Sequence, residues 1–116
     1  MKFLALIYSA PGSGPAYGSP EFVPFMAAYQ AANAVYDRDG VKILGEALQP
    51  TSTATTVRVR GGKTQTMDGP FAETKEQLGG FYMFDCASLD DAIRYAAMIP
   101  SAVNGCVEVR PIMDLS

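Results

Sequence analysis

Residues 67–82 read MDGPFAETKEQLGGFY, and how this stretch is read decides how the chain divides. Asp68-Gly69-Pro70 is turn chemistry, because Asp and Gly tolerate turn conformations and Pro pre-sets its own φ. Pro70 also suits the first position of one helical turn over ETKEQ, ending at Gly79-Gly80. The pattern differs on the two sides. Upstream, residues 55–60 alternate, with Thr55, Val57 and Val59 on one face and Thr56, Arg58 and Arg60 on the other. Gly61-Gly62 fits a two-residue hairpin turn, and residues 63–67 return. One face of this hairpin is polar and is expected to meet water or a wet cavity. Downstream, residues 81–86 (FYMFDC) read as a strand with apolar side chains on both faces. The quoted stretch therefore joins a half-wet hairpin to a covered strand.

Working outward, residues 3–8 (FLALIY) form a second strand that is apolar on both faces. Residues 11–20, rich in Gly, Ser and Pro, are a loop. Phe22, Phe25, Met26, Tyr29, Ala32, Asn33 and Tyr36 follow at helical spacing. Ser19 is a candidate cap with Pro20 at the first helical position, but Pro24 conflicts with that start. The helix therefore begins near Phe22 or kinks, and Asp39-Gly40 ends it. Residues 41–48 are a strand closed by Pro50. A second helix is capped by Ser88, with Asp90 and Asp91 in its first turn. Its expected stripe is Leu89, Ala92, Ile93, Ala96 and Ala97, and Pro100 stops it. Residues 106–112 form the last strand.

The order β-α-β, hairpin, β-α-β gives an α+β fold: a ferredoxin-like antiparallel sheet with helices on one face. That layout leaves the second face of the sheet uncovered, although the strands at 3–8 and 81–86 are apolar there. Large uncovered apolar faces mark interfaces. The simplest cover is a second copy, sheet against sheet, in a two-fold homodimer.

The 116 residues, 48% hydrophobic, suit one domain spanning residues 1–116. Such a chain buries about two-thirds of its unfolded surface and folds without disulfides or metal. The opening MKFLALIY is shorter than a signal h-region, and no apolar run reaches the roughly 20 residues of a membrane span. A cytoplasmic protein with no membrane contact is expected. The net charge is −3, and the Lys and Arg residues are scattered. That points away from nucleic acid. Cys86 and Cys106 form no CxxC pair and read as free, space-filling thiols. The absence of histidine removes the usual general base near neutral pH and the commonest transition-metal ligand. No nucleotide fingerprint is present. Neither a metal nor another cofactor is expected.

The residues that carry candidate chemistry are few. Asp68, at the end of a strand, is either a turn residue or a carboxylate aimed into a cavity. Lys75 is either part of a solvated charged loop or the partner of a buried carboxylate. Glu46 lies inside a strand between Gly45 and Ala47, where a charge needs a partner such as Arg58, Lys75 or Arg110. Tyr82 and Tyr8 offer hydroxyls, though strand tyrosines most often pack. No Ser or Thr has a histidine to activate it.

DGPFAETKEQLGGFY at residues 68–82 resembles the signature of the YCII-related, DGPF-motif family. GEALQP at 45–50, TATTVRVR at 53–60 and VEVRPI at 107–112 extend the resemblance over nearly the whole chain, except the loop at 11–20. It implies a ferredoxin-like dimeric α+β barrel in a bacterial cytoplasm. Some relatives are linked by genome context to extracytoplasmic-function sigma factors. Better-known relatives carry a His–Asp pair proposed as an active site. With no histidine here, only Asp68 matches as the acidic member, and the superfamily's haem enzymes are poor guides.

Two functional readings stand side by side. In one, a small-molecule enzyme uses Asp68 or Glu46 as acid or base, with Lys75, Arg110, Arg58 and Tyr82 around a small anionic ligand. Its carboxylate-lined pocket lies near the DGPF motif. In the other, the chain is a non-catalytic ligand-binding or regulatory module linked to sigma-factor-dependent transcription. A blander reading makes the motif purely structural.

Overall fold

Alternating apolar runs and helical stripes produce six strands and two α-helices. The computed structural model describes residues 1–116. Its elements are β1 (Lys2–Ser9), α1 (Phe22–Asp39), β2 (Lys42–Ala47), β3 (Thr55–Arg60), β4 (Lys63–Asp68), β5 (Gln77–Asp85), α2 (Leu89–Ala96) and β6 (Cys106–Pro111). Short 3-10 turns occupy Thr51–Thr53 and Pro100–Ala102. β2, β5, β1 and β6 bond in that order into a four-stranded antiparallel sheet. β3 and β4 form a separate hairpin. Without the hairpin this is the ferredoxin-like order, built from two split βαβ units. No helix is long and apolar enough to cross a membrane.

The core lies between the two helices and one sheet face. Phe3, Ala5 and Ile7 of β1 alternate inward and are buried; Ala5 and Ile7 join Tyr82 and Phe84 of β5, Ala32 and Tyr36 of α1, and Tyr95 and Ala96 of α2 in one cluster. Tyr36 sits at the centre, edge-on to Tyr82, Phe84 and Tyr95 at centroid separations of 5.2, 4.9 and 5.9 Å. Such aromatic pairs contribute about 0.5–1.5 kcal/mol each beyond their buried area. The tyrosine hydroxyls are satisfied as burial requires: Tyr36 donates to the Tyr95 carbonyl (2.7 Å) and Tyr95 to Asp39 Oδ2 (2.8 Å).

Pro24 fits once α1 starts at Phe22, because first-turn N–H groups have no intrahelical partner to lose. Ser19 does not cap: Glu21 holds that position with no side-chain bond, and the Ser19 hydroxyl is buried without a partner. Ser88 does cap α2, accepting from the Asp91 N–H at 3.2 Å.

Two expectations need correction. The α2 stripe is rotated: Ala92, Tyr95, Ala96 and Ile99 face the core, while Leu89 and Ile93 are half exposed. The aromatic cluster around Tyr36 takes Tyr95 inward and turns Ile93 out. ETKEQ forms no helical turn. Instead β5 begins at Gln77 and carries Gly79-Gly80 inside the sheet, where the Leu48 N–H donates to the Gly79 carbonyl at 2.9 Å. A glycine held in a strand ladder is not available to end a helix. Within the single chain, the strands expected to be covered on both faces are fully buried only toward the helices. Leu4, Leu6, Tyr8, Phe81 and Met83 on the other face are half-buried.

That open face sets the shape of the chain. It measures 48 × 45 × 19 Å, the thickness of one sheet and one helix layer, with a radius of gyration of 16.2 Å. A compact 100-residue domain has about 13 Å. The hairpin extends the slab. Gly61 and Gly62 both take positive φ, as the tight turn requires. Val57 and Val59 remain 59% exposed, so both hairpin faces are open, not only the polar one.

Candidate functional site

A cleft of about 370 Å³ opens where α1 crosses the edge of the sheet formed by β2 and β5. Its floor is the Gly79-Gly80 segment. β1 and β5 lose register there, Ile7 facing Gly80 and Tyr8 facing Leu78, so Gly79 is the extra residue of a β-bulge. With no side chain, Gly79 leaves its backbone open to a ligand, whereas Gly80 lies close against the Glu46 carbonyl of β2. Gly45 opposes Tyr82 on β2, and a Cβ there would overlap the Tyr82 ring. The tyrosine can lie flat over β2 only because position 45 has no side chain.

The walls bring together Tyr29 and Asn33 of α1, Lys42 of β2, Tyr82 of β5 and Ser101 of the 3-10 turn. Asn33 Oδ1 accepts from the Tyr82 hydroxyl at 3.0 Å and from Lys42 Nζ at 3.4 Å. Since both neighbours donate, the amide oxygen is fixed toward them and the Asn33 NH₂ keeps its donors for another acceptor. Lys42 Nζ also meets Asp37 at 3.2 Å. The Tyr29 and Ser101 hydroxyls share one hydrogen bond at 2.7 Å. Burial raises the Tyr82 hydroxyl above the ordinary tyrosine range, outweighing the bond to Asn33, which lowers it. Tyr82 therefore stays protonated at neutral pH. The result is a cleft rich in donors, with one cation and no imidazole to move a proton near neutrality.

The residues singled out from sequence scatter around this cleft. Tyr82 contributes its side chain. Glu46 lines the cleft, but it is in register with Phe81, so its side chain leaves from the opposite, helix-free face. Arg110 is on that face too, with its Nε bonded to Glu108 Oε2 at 2.7 Å. Arg58 and Asp68 stand on opposite faces of the hairpin, and Lys75 lies in the exposed loop. These residues do not converge, and none of their carboxylates enters the cleft. No His, Cys, Asp or Glu cluster is placed to hold a metal ion. A second cavity of about 590 Å³ lies beneath the DGPF segment, walled by Tyr8, Leu48, Pro50, Pro70, Phe71 and Leu78, with Glu76 as its one carboxylate.

Lys42, Tyr29 and Ser101 were not singled out as functional. The available signal was Asn33, a polar residue within an otherwise apolar helical stripe, which a buried position must supply with partners. Which partners meet it depends on the crossing of α1 over β2.

The fold and the cleft define a small ferredoxin-like α+β domain with a ligand-sized groove at the bulged edge of its sheet. The YCII-related domain family model matches residues 1–116, and the chain belongs to that family. A protein of Rhizobium meliloti (strain 1021), described as uncharacterised, is 55% identical over 67 residues. The match covers 56% of this chain and 54% of that protein, so the chain spans about half the length of that relative. Among solved structures, 5-chloro-2-hydroxyhydroquinone dehydrochlorinase of Burkholderia phenoliruptrix, in complex with 2,5-dihydroxybenzoquinone, matches with a TM-score of 0.53. It is 15% identical, with 97% of this chain and 94% of that one covered, and it supports the fold.

Proposed function

We propose that this chain binds a compact, oxygen-rich organic molecule in the cleft beneath α1. The Asn33 amide, the Lys42 ammonium and the Tyr29–Ser101 hydroxyl pair would donate to its oxygens. The observation that carries this reading is the doubly occupied Asn33 oxygen, which turns the amide NH₂ free. The volume is near the lower end of the roughly 300–1,000 Å³ of small-molecule sites, which favours a ligand of one ring. Donors held on a helix and a bulged strand stabilise a carbonyl or oxyanion without reorganising. Such a site holds or polarises an oxygen; proton transfer would have to come from the ligand or from water. The dehydrochlorinase neighbour holds a hydroxylated quinone, a ligand of this chemical class.

Calorimetric titration with 2,5-dihydroxybenzoquinone tests the reading. Binding is expected in the wild type and at least about tenfold weaker in Asn33→Leu and in Lys42→Met. Equal affinity in all three proteins would overturn it.

We also propose that two copies pack through their helix-free faces. Support comes from the half-buried Leu4, Leu6, Phe81 and Met83 and from the hairpin, which projects with both faces open. A two-stranded hairpin is marginal by itself. Light scattering should give twice the chain mass of 12.4 kDa, and Leu6→Glu should halve it. A monomeric wild type at about 100 μM would exclude the dimer.

A further inference from the structure

The cavity beneath the DGPF segment differs in chemistry from the cleft under α1. Tyr8, Leu48 and Leu78 around the end of the sheet enclose it together with Pro70 and Phe71 of the segment. The segment is tied down at both ends. Gly69 turns the chain with a φ of 97°, its N–H donates to the Ala54 carbonyl at 2.7 Å, and its carbonyl accepts from the Thr56 hydroxyl at 2.8 Å. At the other end the Thr74 hydroxyl donates to the Glu76 carbonyl at 2.7 Å, and the Thr51 hydroxyl donates to Gln77 Oε1 at 3.1 Å. The cavity is therefore preformed, and its volume of about 590 Å³ lies within the roughly 300–1,000 Å³ of small-molecule sites.

Its charge is one-sided. Glu76 is the single carboxylate in the wall, and no Lys or Arg lines the cavity. Glu76 makes no ion pair within the chain. Its one side-chain partner is the Cys106 thiol, 3.4 Å from Oε2. That bond raises the thiol above its ordinary range, so Cys106 stays a neutral donor. In the empty cavity water solvates the remaining carboxylate oxygen. A ligand that displaces this water must itself supply a partner for the charge. Phe71 is 76% exposed, so its ring still has apolar area to bury.

We infer that this cavity binds a compact organic ammonium, an apolar body carrying one protonated amine, with Glu76 holding the amine and the Tyr8 and Phe71 rings against the body. Aromatic faces attract a cation as well as apolar surface, so the same walls suit both parts of such a ligand. An anion of the same shape is repelled, and a neutral analogue leaves the carboxylate unpaired. The two cavities share no lining residue, so either site can fail alone. They sort ligands by charge: the cleft offers N–H donors and the Lys42 ammonium to oxygens, and this cavity offers one carboxylate to a cation.

Calorimetric titration at neutral pH with phenethylamine and with its uncharged analogue 2-phenylethanol tests the assignment. Phenethylamine is expected to bind at least about tenfold more tightly, the size of one charge-assisted hydrogen bond. Glu76→Gln should bring phenethylamine down to the level of 2-phenylethanol and leave 2-phenylethanol unaltered. Glu73→Gln removes the same charge from a loop position outside the cavity wall and should leave both affinities as they are. Phe71→Ala should weaken both probes. Circular dichroism on each variant checks that the fold is intact. No saturable heat from phenethylamine up to about 10 mM overturns the site. Equal affinity for the two probes, or an equal loss in Glu73→Gln and Glu76→Gln, overturns the role of Glu76.

Discussion

Gly45→Ala replaces one hydrogen by a methyl group and is expected to be among the costlier small changes in this chain. The new Cβ would fall inside the contact distance of Tyr82 Cδ1 and Cε1 and 3.3 Å from Cγ. The obstacle is a ring held on several sides, so it cannot simply swing away. Tyr82 stacks on Phe84 at 5.6 Å, meets Tyr36 edge-on at 5.2 Å, and bonds Asn33 through its hydroxyl. Displacing it forfeits about 0.5–1.5 kcal/mol for each aromatic pair. The hydroxyl bond adds about 1 kcal/mol. Holding the ring in place instead incurs the strain of an overfilled core, about 1–3 kcal/mol. Relaxation takes the cheaper route, so the expected loss is about 1–3 kcal/mol. Urea unfolding followed by circular dichroism measures the loss, with Gly79→Ala as control, because a Cβ at Gly79 meets nothing within 4 Å. A Gly45→Ala protein within about 0.5 kcal/mol of wild type would refute the reasoning, since surface changes have that size.

Other consequences follow from the same core. Tyr36 is driven well above the ordinary tyrosine range, first by burial and then by its neighbours Tyr82 and Tyr29. Its folded form keeps the proton while the unfolded chain loses it near pH 10. Its contribution is therefore complete below pH 10 and is lost as pH rises beyond it. Tyr36→Phe should flatten the alkaline decline in stability measured by urea unfolding between pH 9 and 11; an identical slope would contradict this. Asp39 moves the other way: its bonds from Arg38 and from the Tyr95 hydroxyl hold its carboxyl below the usual range. Its contribution is present above the unfolded value, near 4, and is lost as pH falls through the folded value, so Asp39→Asn should flatten the acid limb. Ser88→Ala removes the α2 cap and should cost about 1 kcal/mol, which thermal unfolding would show as a drop of about 4–8 °C.

Much of the architecture was readable from residue spacing, because the signals were local. Gly61-Gly62 between alternating runs fixes a hairpin whatever surrounds it, and Asp39-Gly40 after a largely apolar stripe at helical spacing ends a helix. Errors arose where distant elements decide. The phase of α2 depends on which ring the Tyr36 cluster accepts, and Tyr95 was therefore overlooked in favour of Ile93. Gly79-Gly80 looked like a helix end because its partner in the ladder, Leu48, lies some thirty positions away. Asp68, Lys75, Arg58, Glu46 and Arg110 are conspicuous in the sequence because they are charged, yet they lie on exposed faces or in loops. The cleft is built largely from an asparagine, two tyrosines, a serine and one lysine whose meeting depends on helix crossing and on a bulge.

Where a ligand binds is the most direct test of the cleft. A titration of ¹⁵N-labelled protein with 2,5-dihydroxybenzoquinone, followed by amide chemical shifts, separates the two cavities. The cleft predicts saturable shifts concentrated on the Asn33 side-chain NH₂ and on the backbone amides of Lys42, Gly79 and Gly80. Shifts confined to residues 70–76 beneath the DGPF segment, or none at all, would contradict it.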